Sequence, residues 1–574
     1  MSVTLRSDRW FARPDEMGLR HRALFGVLGY DPDTLAGKPI IGICNPTSDY
    51  NPCEVGFREL VPLIKRGVTE AGGIPLEFPS MALGEDLLKP SAMLYRNLVS
   101  MDVEESIRGY PMDGVVLLAN CDKTTPAQLM AAASANIPAI QFNAGPKTAG
   151  YFRNEPISSG TDLWRYWDEV RQGKLSRADW KRFEACLFCS SGACNEMGTT
   201  STMTALAETL GMMLPGTSSI PANDSRRMQA AVAVGRRIVA MVQEELRPRA
   251  ILTPAAFDNA VRMLAAIGGS TNAVLHLVAI AGRCGIRLTL DRIDALTQDV
   301  PLLANLKPSG KYLVGDFDRA GGTAALLKQI ALDLSAITCT GRTLGENIAH
   351  AHVYDPDVIR PPDRALGEGG ALVALHGNLI PRGAVLKVSA ASPRLLDHTG
   401  PALVFRDYED MLARIDADDL PVTADTVLVM QNAGPMGVPG MPEWGQIPLP
   451  LKLLQQGVAD VVRISDARMS GTSYGTVVLH AAPEAAAGGP LAVVADGDLI
   501  RLNVAERRLD LLIPDAELQA RLAAWTPPPR PHRRGYPRLY IEHVLQADEG
   551  CDFDFLRPTG PDDLDLIEPQ VGRS

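Results

Sequence analysis

Through the first two-thirds of the chain, short and nearly unbroken apolar runs alternate with longer stretches of helical periodicity. Residues 38–45, 113–119 and 139–143 are runs of the first kind. Being apolar on both faces and short, they predict buried strands of a parallel sheet. Residues 127–136 predict a helix, with Pro126 in a first-turn position where its missing N–H costs nothing. Further helices are expected over 201–214, 224–246 and 254–267, the second opened by Asn223 or Asp224 as a cap. Alternating strands and helices imply a parallel sheet covered by helices on its faces.

The pattern changes after a stretch rich in proline and aspartate at 354–363. Beyond it come short strand-like runs at 371–376, 384–390, 426–430 and 460–464. Residues 498–513 alternate around a turn near Ala505 and Glu506, which predicts a hairpin. The expected organisation is therefore an α/β domain over 1–365 and a β-rich domain over 366–574. The proline-rich segment 527–532 reads as a linker to a C-terminal tail. No internal repeat is visible.

Composition narrows the functional classes. A chain of 574 residues exceeds what one core usually serves. Its net charge of −11, without a local basic run, argues against a nucleic-acid surface. The first ten residues lack an apolar signal core, and no apolar stretch approaches the ~18 residues of a membrane span. A cytoplasmic, reducing location is expected. There, nine cysteines serve as thiols or metal ligands and not as a disulfide scaffold.

The strongest chemical signal is Asn120-Cys121-Asp122-Lys123, at the end of the apolar run 113–119. Strand C-terminal ends are where open α/β sheets place their sites. A soft thiolate beside a hard carboxylate suggests two different metals close together. Two further cysteines, Cys53 and Cys194, lie among Gly, Pro and Asn residues of tight loops. Three thiolates from distant loops could hold an iron–sulfur cluster with one iron position open, the mark of a catalytic site. Alternatively, Cys186, Cys189 and Cys194 resemble a local zinc or ferredoxin-type run that lacks a fourth thiolate. Spacing leaves both readings open. The glycine-rich 434–440 suggests a phosphate cradle but lacks the Gly-Lys-Ser/Thr ending.

Six segments together resemble the dihydroxy-acid and sugar-acid dehydratase family. They are 45–53 (Asn-Pro-Thr-Ser-Asp-Tyr-Asn-Pro-Cys), 119–126 (Ala-Asn-Cys-Asp-Lys-Thr-Thr-Pro), 191–199, 268–273 (Gly-Gly-Ser-Thr-Asn-Ala), 432–443 and 465–471 (Ser-Asp-Ala-Arg-Met-Ser-Gly). They occur in the family's order across nearly the whole chain. The resemblance implies an α/β N-terminal domain joined to a swivelling, barrel-like C-terminal domain.

It further implies that Cys53, Cys121 and Cys194 bind the cluster, two-iron rather than four-iron. Cys44, Cys186, Cys189, Cys284 and Cys339 would then be packed bystanders. Glu85, Asp122 and Glu443 match magnesium-binding acids, with Asp86 the neighbouring alternative to Glu85. Lys123 matches a lysine carboxylated in this family. Its carbamate would offer the hard oxygens that an ammonium lacks. Ser470 matches the catalytic base, needing nearby positive charge to exist as an alkoxide, and Thr472 is close enough in sequence to orient it.

After Ser470 the chain reads Gly-Thr-Ser-Tyr-Gly-Thr, similar to the sugar-acid branch. Thr472, Ser473 and Tyr474 would offer hydroxyls to a polyhydroxylated chain. The tail at 542–555 resembles the same branch, making His543 a candidate substrate contact across a subunit boundary. A pentonate such as L-arabinonate or D-xylonate is the first expectation, with gluconate or galactonate next. The alternatives are branched-chain dihydroxy-acid dehydration, a redox iron–sulfur protein and a zinc module. The expected partner is a small-molecule acid, with neither nucleic acid nor membrane, in a homodimer or homotetramer.

Overall fold

The computed structural model describes residues 4–529, 532–564 and 567–573. Arg530 and Pro531, in the proline-rich segment, lie outside the described residues. The first sheet has four parallel strands in the order β2-β1-β3-β4: β1 Ile40–Asn45, β2 Ile74–Pro79, β3 Gly114–Leu118 and β4 Ala139–Phe142. Strands β1, β3 and β4 coincide with the three apolar runs. Every residue of β3 is buried, as a strand covered on both faces requires. Strand β2 was not anticipated, because Glu77 and the two prolines of Ile74–Pro79 break its apolar run at the sheet edge.

Helices cover this sheet. The helix predicted from 127 begins earlier, at Thr124–Ala135. Pro126 still sits in the first turn, where backbone N–H groups have no partner inside the helix. The helix expected over 201–214 is Thr199–Thr209, ending before Gly211 in a left-handed conformation. Ser225–Gln243 is capped by Asp224, and Pro254–Ala266 by the Thr253 side chain. A two-stranded ribbon, β5 Gly150–Phe152 and β6 Glu155–Ile157, precedes the helices Thr161–Arg171 and Arg177–Leu187.

The second sheet has eight strands in the order β14-β13-β9-β10-β11-β12-β8-β7. They are β7 Val373–Leu375, β8 Gly383–Leu386, β9 Asp397–Phe405, β10 Val427–Met430, β11 Arg463–Ser465, β12 Val477–Ala482, β13 Leu499–Asn503 and β14 Arg508–Leu511. Strands β9 to β12 run parallel and the flanking strands antiparallel. A bridge between His376 and Arg508, with the His376 N–H on the Arg507 carbonyl at 2.9 Å, nearly joins the two edges. The result is barrel-like, and it leaves few unpaired edge groups. The hairpin forms as β13 and β14. The run at 384–390 is strand only to Leu386 and then turns into a 3-10 segment at Val388–Ala390.

Val385, Val477, Leu479 and Met469 of the barrel pack into the same apolar cluster as the first sheet and its helices. The tail then returns to the first half of the chain. Helix Gly535–His543 and the residues after it bury Tyr540, Val544, Cys551 and Phe553 against Met93, Leu94 and Leu275.

Candidate active site

Lys123 follows β3 and its side chain is fully buried. Its Nζ lies 3.2 Å from Glu85 Oε2, 3.4 Å from Asp122 Oδ2 and 3.7 Å from Glu443 Oε1. Arg468, equally buried, places Nη1 2.9 Å from Glu443 Oε1 and Nη2 3.7 Å from Glu85 Oε1. Ser91 Oγ links the two groups, donating to Glu85 at 2.9 Å and accepting from Arg468 at 2.8 Å. Thr200 donates to Asp122 Oδ1 at 2.5 Å and Asn272 to Glu443 Oε1 at 2.8 Å. The four predicted metal-site residues thus meet at the junction of the α/β half, which supplies Glu85, Asp122 and Lys123, and the barrel half, which supplies Glu443.

Burial raises an acid's proton affinity, and opposite charge lowers it. At Glu85 burial is the largest influence, yet Lys123 and Arg468 outweigh it and hold the carboxyl below its usual range. At Glu443 burial prevails and pushes the carboxyl up. Lys123 is disfavoured by burial but raised overall by Glu85, Asp122 and Glu443. Glu85 Oε2 is buried without a hydrogen bond of good geometry. Among the described residues no three His, Cys, Asp or Glu side chains lie at the spacing of a single-ion shell. The Lys123 ammonium lies among the three acids. Exchanging that charge for a carbamate turns the same position into a fourth hard donor, so the residues present fit a divalent cation with Lys123 carboxylated.

The Cys53 and Cys121 thiols act on each other's proton affinity. The neighbouring Cys121, helped by the charge of Lys147, holds the Cys53 thiol below its usual range despite burial. Cys53 in turn raises Cys121, with burial adding to the effect. Cys194 is pushed up chiefly by burial, and the charges of Glu196, Cys53 and Asp122 act on it. The three loops that carry these cysteines meet through Asn120, whose amide donates to the Cys53 carbonyl at 2.7 Å and to the Gly145 carbonyl at 3.0 Å, the latter also accepting from Ala193 N at 3.0 Å. By contrast, Cys189 is exposed, with its thiol on the Thr148 carbonyl at 3.1 Å, and Cys186 is partly accessible. The expectation that both are packed thiols is corrected for Cys189, because the chain turns out of helix Arg177–Leu187 at the surface. Cys44 and Cys339 are buried and their thiols are pushed up to about 12 by burial, as befits inert side chains.

The loop after β11 carries Ser470. Its Oγ lies 2.8 Å from Thr472 Oγ1 and 3.3 Å from the Thr472 backbone N. A Cβ at Gly471 would come within 2.7 Å of the Thr199 backbone N and 2.8 Å of Ser270 Oγ, so only glycine lets this loop approach helix Thr199–Thr209. Ser473 is buried with an unpartnered hydroxyl, and Tyr474 is partly buried. His543 bonds Asp554 at 3.0 Å and packs edge-on against Phe555, both within the tail. Two N–H groups of the glycine-rich loop at 434–440 are already taken by a side chain. Its Met436 and Gly437 N–H groups donate at 2.9 Å to the buried Glu484 carboxylate, which pins the loop leading to Glu443.

The dihydroxy-acid/6-phosphogluconate dehydratase N-terminal family model matches residues 38–347 and its C-terminal counterpart residues 357–551. This chain belongs to that family. It is therefore a member of an enzyme family of hydro-lyases that use an iron–sulfur cluster and magnesium. Its relatives include the L-arabinonate dehydratase of Rhizobium leguminosarum bv. trifolii, 51% identical over 96% of both chains. The 6-deoxy-6-sulfo-D-gluconate dehydratase of Pseudomonas putida is 47% identical over 96% of both. The dihydroxy-acid dehydratase of Ignicoccus hospitalis is 38% identical, over 95% of this chain and 99% of its own. No described helix of this dehydratase is long and apolar enough to cross a membrane.

Sequence reasoning assigned no role to several groups that the fold brings to the site. Arg468 and Asn272 lay inside quoted motifs, which was the available signal. Glu196 likewise lay inside the 191–199 segment. Ser91, Thr200 and Trp164 carried none, since each acts through a neighbour that is distant in sequence.

Proposed function

We propose that this dehydratase removes water from a sugar acid, a pentonate such as L-arabinonate, to give the 2-keto-3-deoxy acid. Family membership supports the reaction type, and relative similarity supports the substrate class. The relative named for L-arabinonate is 51% identical, whereas the one named for dihydroxy-acid dehydration is 38% identical. A six-carbon acid is the second reading, favoured by the 47% identity to the 6-deoxy-6-sulfo-D-gluconate enzyme.

Glu85, Asp122, Glu443 and a carboxylated Lys123 would hold the divalent cation, and Cys53, Cys121 and Cys194 a cluster of the two-iron type. When bound, these groups supply Lewis-acid polarisation of the acid's oxygens. Ser470, ionised beside this positive charge, takes the proton from C2, and Thr472 donates a hydrogen bond to the ionised oxygen. Hydroxide departs from C3 and leaves as water on taking up the proton held by Ser470, which restores the ionised serine. The enol that remains tautomerises to the 2-keto-3-deoxy product. Arg468 and Asn272 hold Glu443 in place, while Ser91 and Thr200 fix Glu85 and Asp122. Ser473 and Tyr474 follow Ser470 in the same loop and would meet the distal hydroxyls. His543, half-buried in the tail, is the candidate contact to a second copy in a homodimer or homotetramer.

The test is a panel of pentonates, hexonates and 2,3-dihydroxy-isovalerate offered to anaerobically purified, magnesium-supplemented enzyme. L-Arabinonate should give the highest kcat/KM for 2-keto-3-deoxy product. Faster turnover of dihydroxy-isovalerate than of any aldonate would overturn the substrate assignment.

A further inference from the structure

Thr472 is gripped by a helix that no sequence signal linked to catalysis. Its hydroxyl oxygen accepts the indole N–H of Trp164 at 3.1 Å, and its carbonyl accepts Thr161 Oγ1 at 2.9 Å. Both partners lie at the start of helix Thr161–Arg171. That helix start is itself fixed: the buried Asp162 carboxylate accepts from Ser158 N at 2.7 Å and from Lys307 Nζ at 2.7 Å. The preceding residue is Gly160, where a Cβ would fall 2.4 Å from Thr472 Oγ1 and 2.6 Å from Glu196 Oε1. Only a residue without a side chain lets the helix come this near.

The donor inventory gives the arrangement a direction. An indole N–H can only donate, and an ionised serine oxygen can only accept. With Ser470 ionised, Thr472 gives its single proton to Ser470 at 2.8 Å and receives the indole on a lone pair. Donation into a hydroxyl oxygen polarises its O–H and strengthens the bond it makes in turn. Glu196 Oε1, which a Cβ at Gly160 would also meet, is buried and has no hydrogen-bond partner among the described residues.

We propose that Trp164 is a positioning residue of the dehydration reaction, directing and strengthening the Thr472 hydrogen bond that stabilises ionised Ser470. The proposal rests on the reading of Ser470 as the base of a sugar-acid dehydratase.

The experiment is a double-mutant cycle read on L-arabinonate and on its C2-deuterated form. Trp164→Phe, which keeps ring bulk but removes the N–H, should lower kcat roughly 5- to 10-fold, the scale of one hydrogen bond. KM should stay within about twofold, the C2 isotope effect on kcat should rise, and iron and sulfide content should be unchanged. In a Thr472→Val background the same change should cost less than about twofold, whereas in Thr472→Ser, which keeps the hydroxyl, the full loss should return. Trp164→Leu provides a second removal of the donor should the phenylalanine variant lose its cluster. Equal losses from Trp164→Phe in the wild-type and Thr472→Val backgrounds, or a raised KM with unchanged kcat, would overturn the role of Trp164 alone. A wild-type enzyme that dehydrates no aldonate would instead overturn the functional reading on which it rests.

Discussion

Arg283 and Asp552, 269 residues apart, form an ion pair of 2.6 Å in which neither side chain has any solvent exposure. Arg96 adds hydrogen bonds of 2.8 Å to the Gly550 and Cys551 carbonyls. These contacts fasten the C-terminal tail to the helices beside the first sheet. Removing one partner of a buried pair strands the other charge, at a cost of about 3–5 kcal/mol. Asp552→Asn should therefore lower the denaturant midpoint strongly, while Arg283→Met combined with Asp552→Leu should cost less than the single change. Chemical denaturation of the three variants checks both expectations.

Ser470→Ala should abolish turnover, with kcat down at least ~10³-fold, while iron, sulfide and magnesium content stay at wild-type levels. Loss of the cluster in this variant would show that Ser470 holds structure and does not act as the base.

Cysteine replacements separate the two ligand readings. Serine at Cys53, Cys121 or Cys194 should each remove the visible absorption of the cluster and most of the bound sulfide. Serine at Cys186 or Cys189 should leave both intact, because Cys189 is exposed and tied to Thr148. Bound zinc that depends on Cys186 and Cys189, without iron, would reverse the assignment.

Lys387 is a buried cation with no hydrogen-bond partner among the described residues, and burial pushes its ammonium down to about 7. A lysine whose folded value is depressed costs stability most fully below that folded value. The cost fades as pH rises from about 7 toward the ordinary lysine value of 10.5, where the unfolded chain also loses the proton. Lys387→Met should thus stabilise the protein by a few kcal/mol near pH 6 to 7, with the advantage vanishing near pH 10.5. Melting curves of both proteins across that range measure it.

Strands β1, β3 and β4 were legible because a doubly covered strand leaves a continuous apolar run, and β13–β14 because a half-covered hairpin leaves alternation. Strand β9, with its polar start at Asp397–Thr399, showed no such pattern and is held by its neighbours β10 and β13. The helix Asn272–Arg283 was missed for another reason: nearly all of it is buried, so no polar face marks the period.

The candidate site residues were legible in local sequence: a thiol, a carboxylate and a lysine at the end of β3, and a serine and a threonine two apart in a glycine loop. What those groups face depended on chain segments hundreds of residues away. Arg468 beside Glu85, Trp164 beneath Thr472 and Asp552 against Arg283 are contacts between side chains whose separation along the chain exceeds any periodicity. Periodicity reports which face of an element is covered; only packing decides by what, because burial selects shape and charge complements without regard to chain distance.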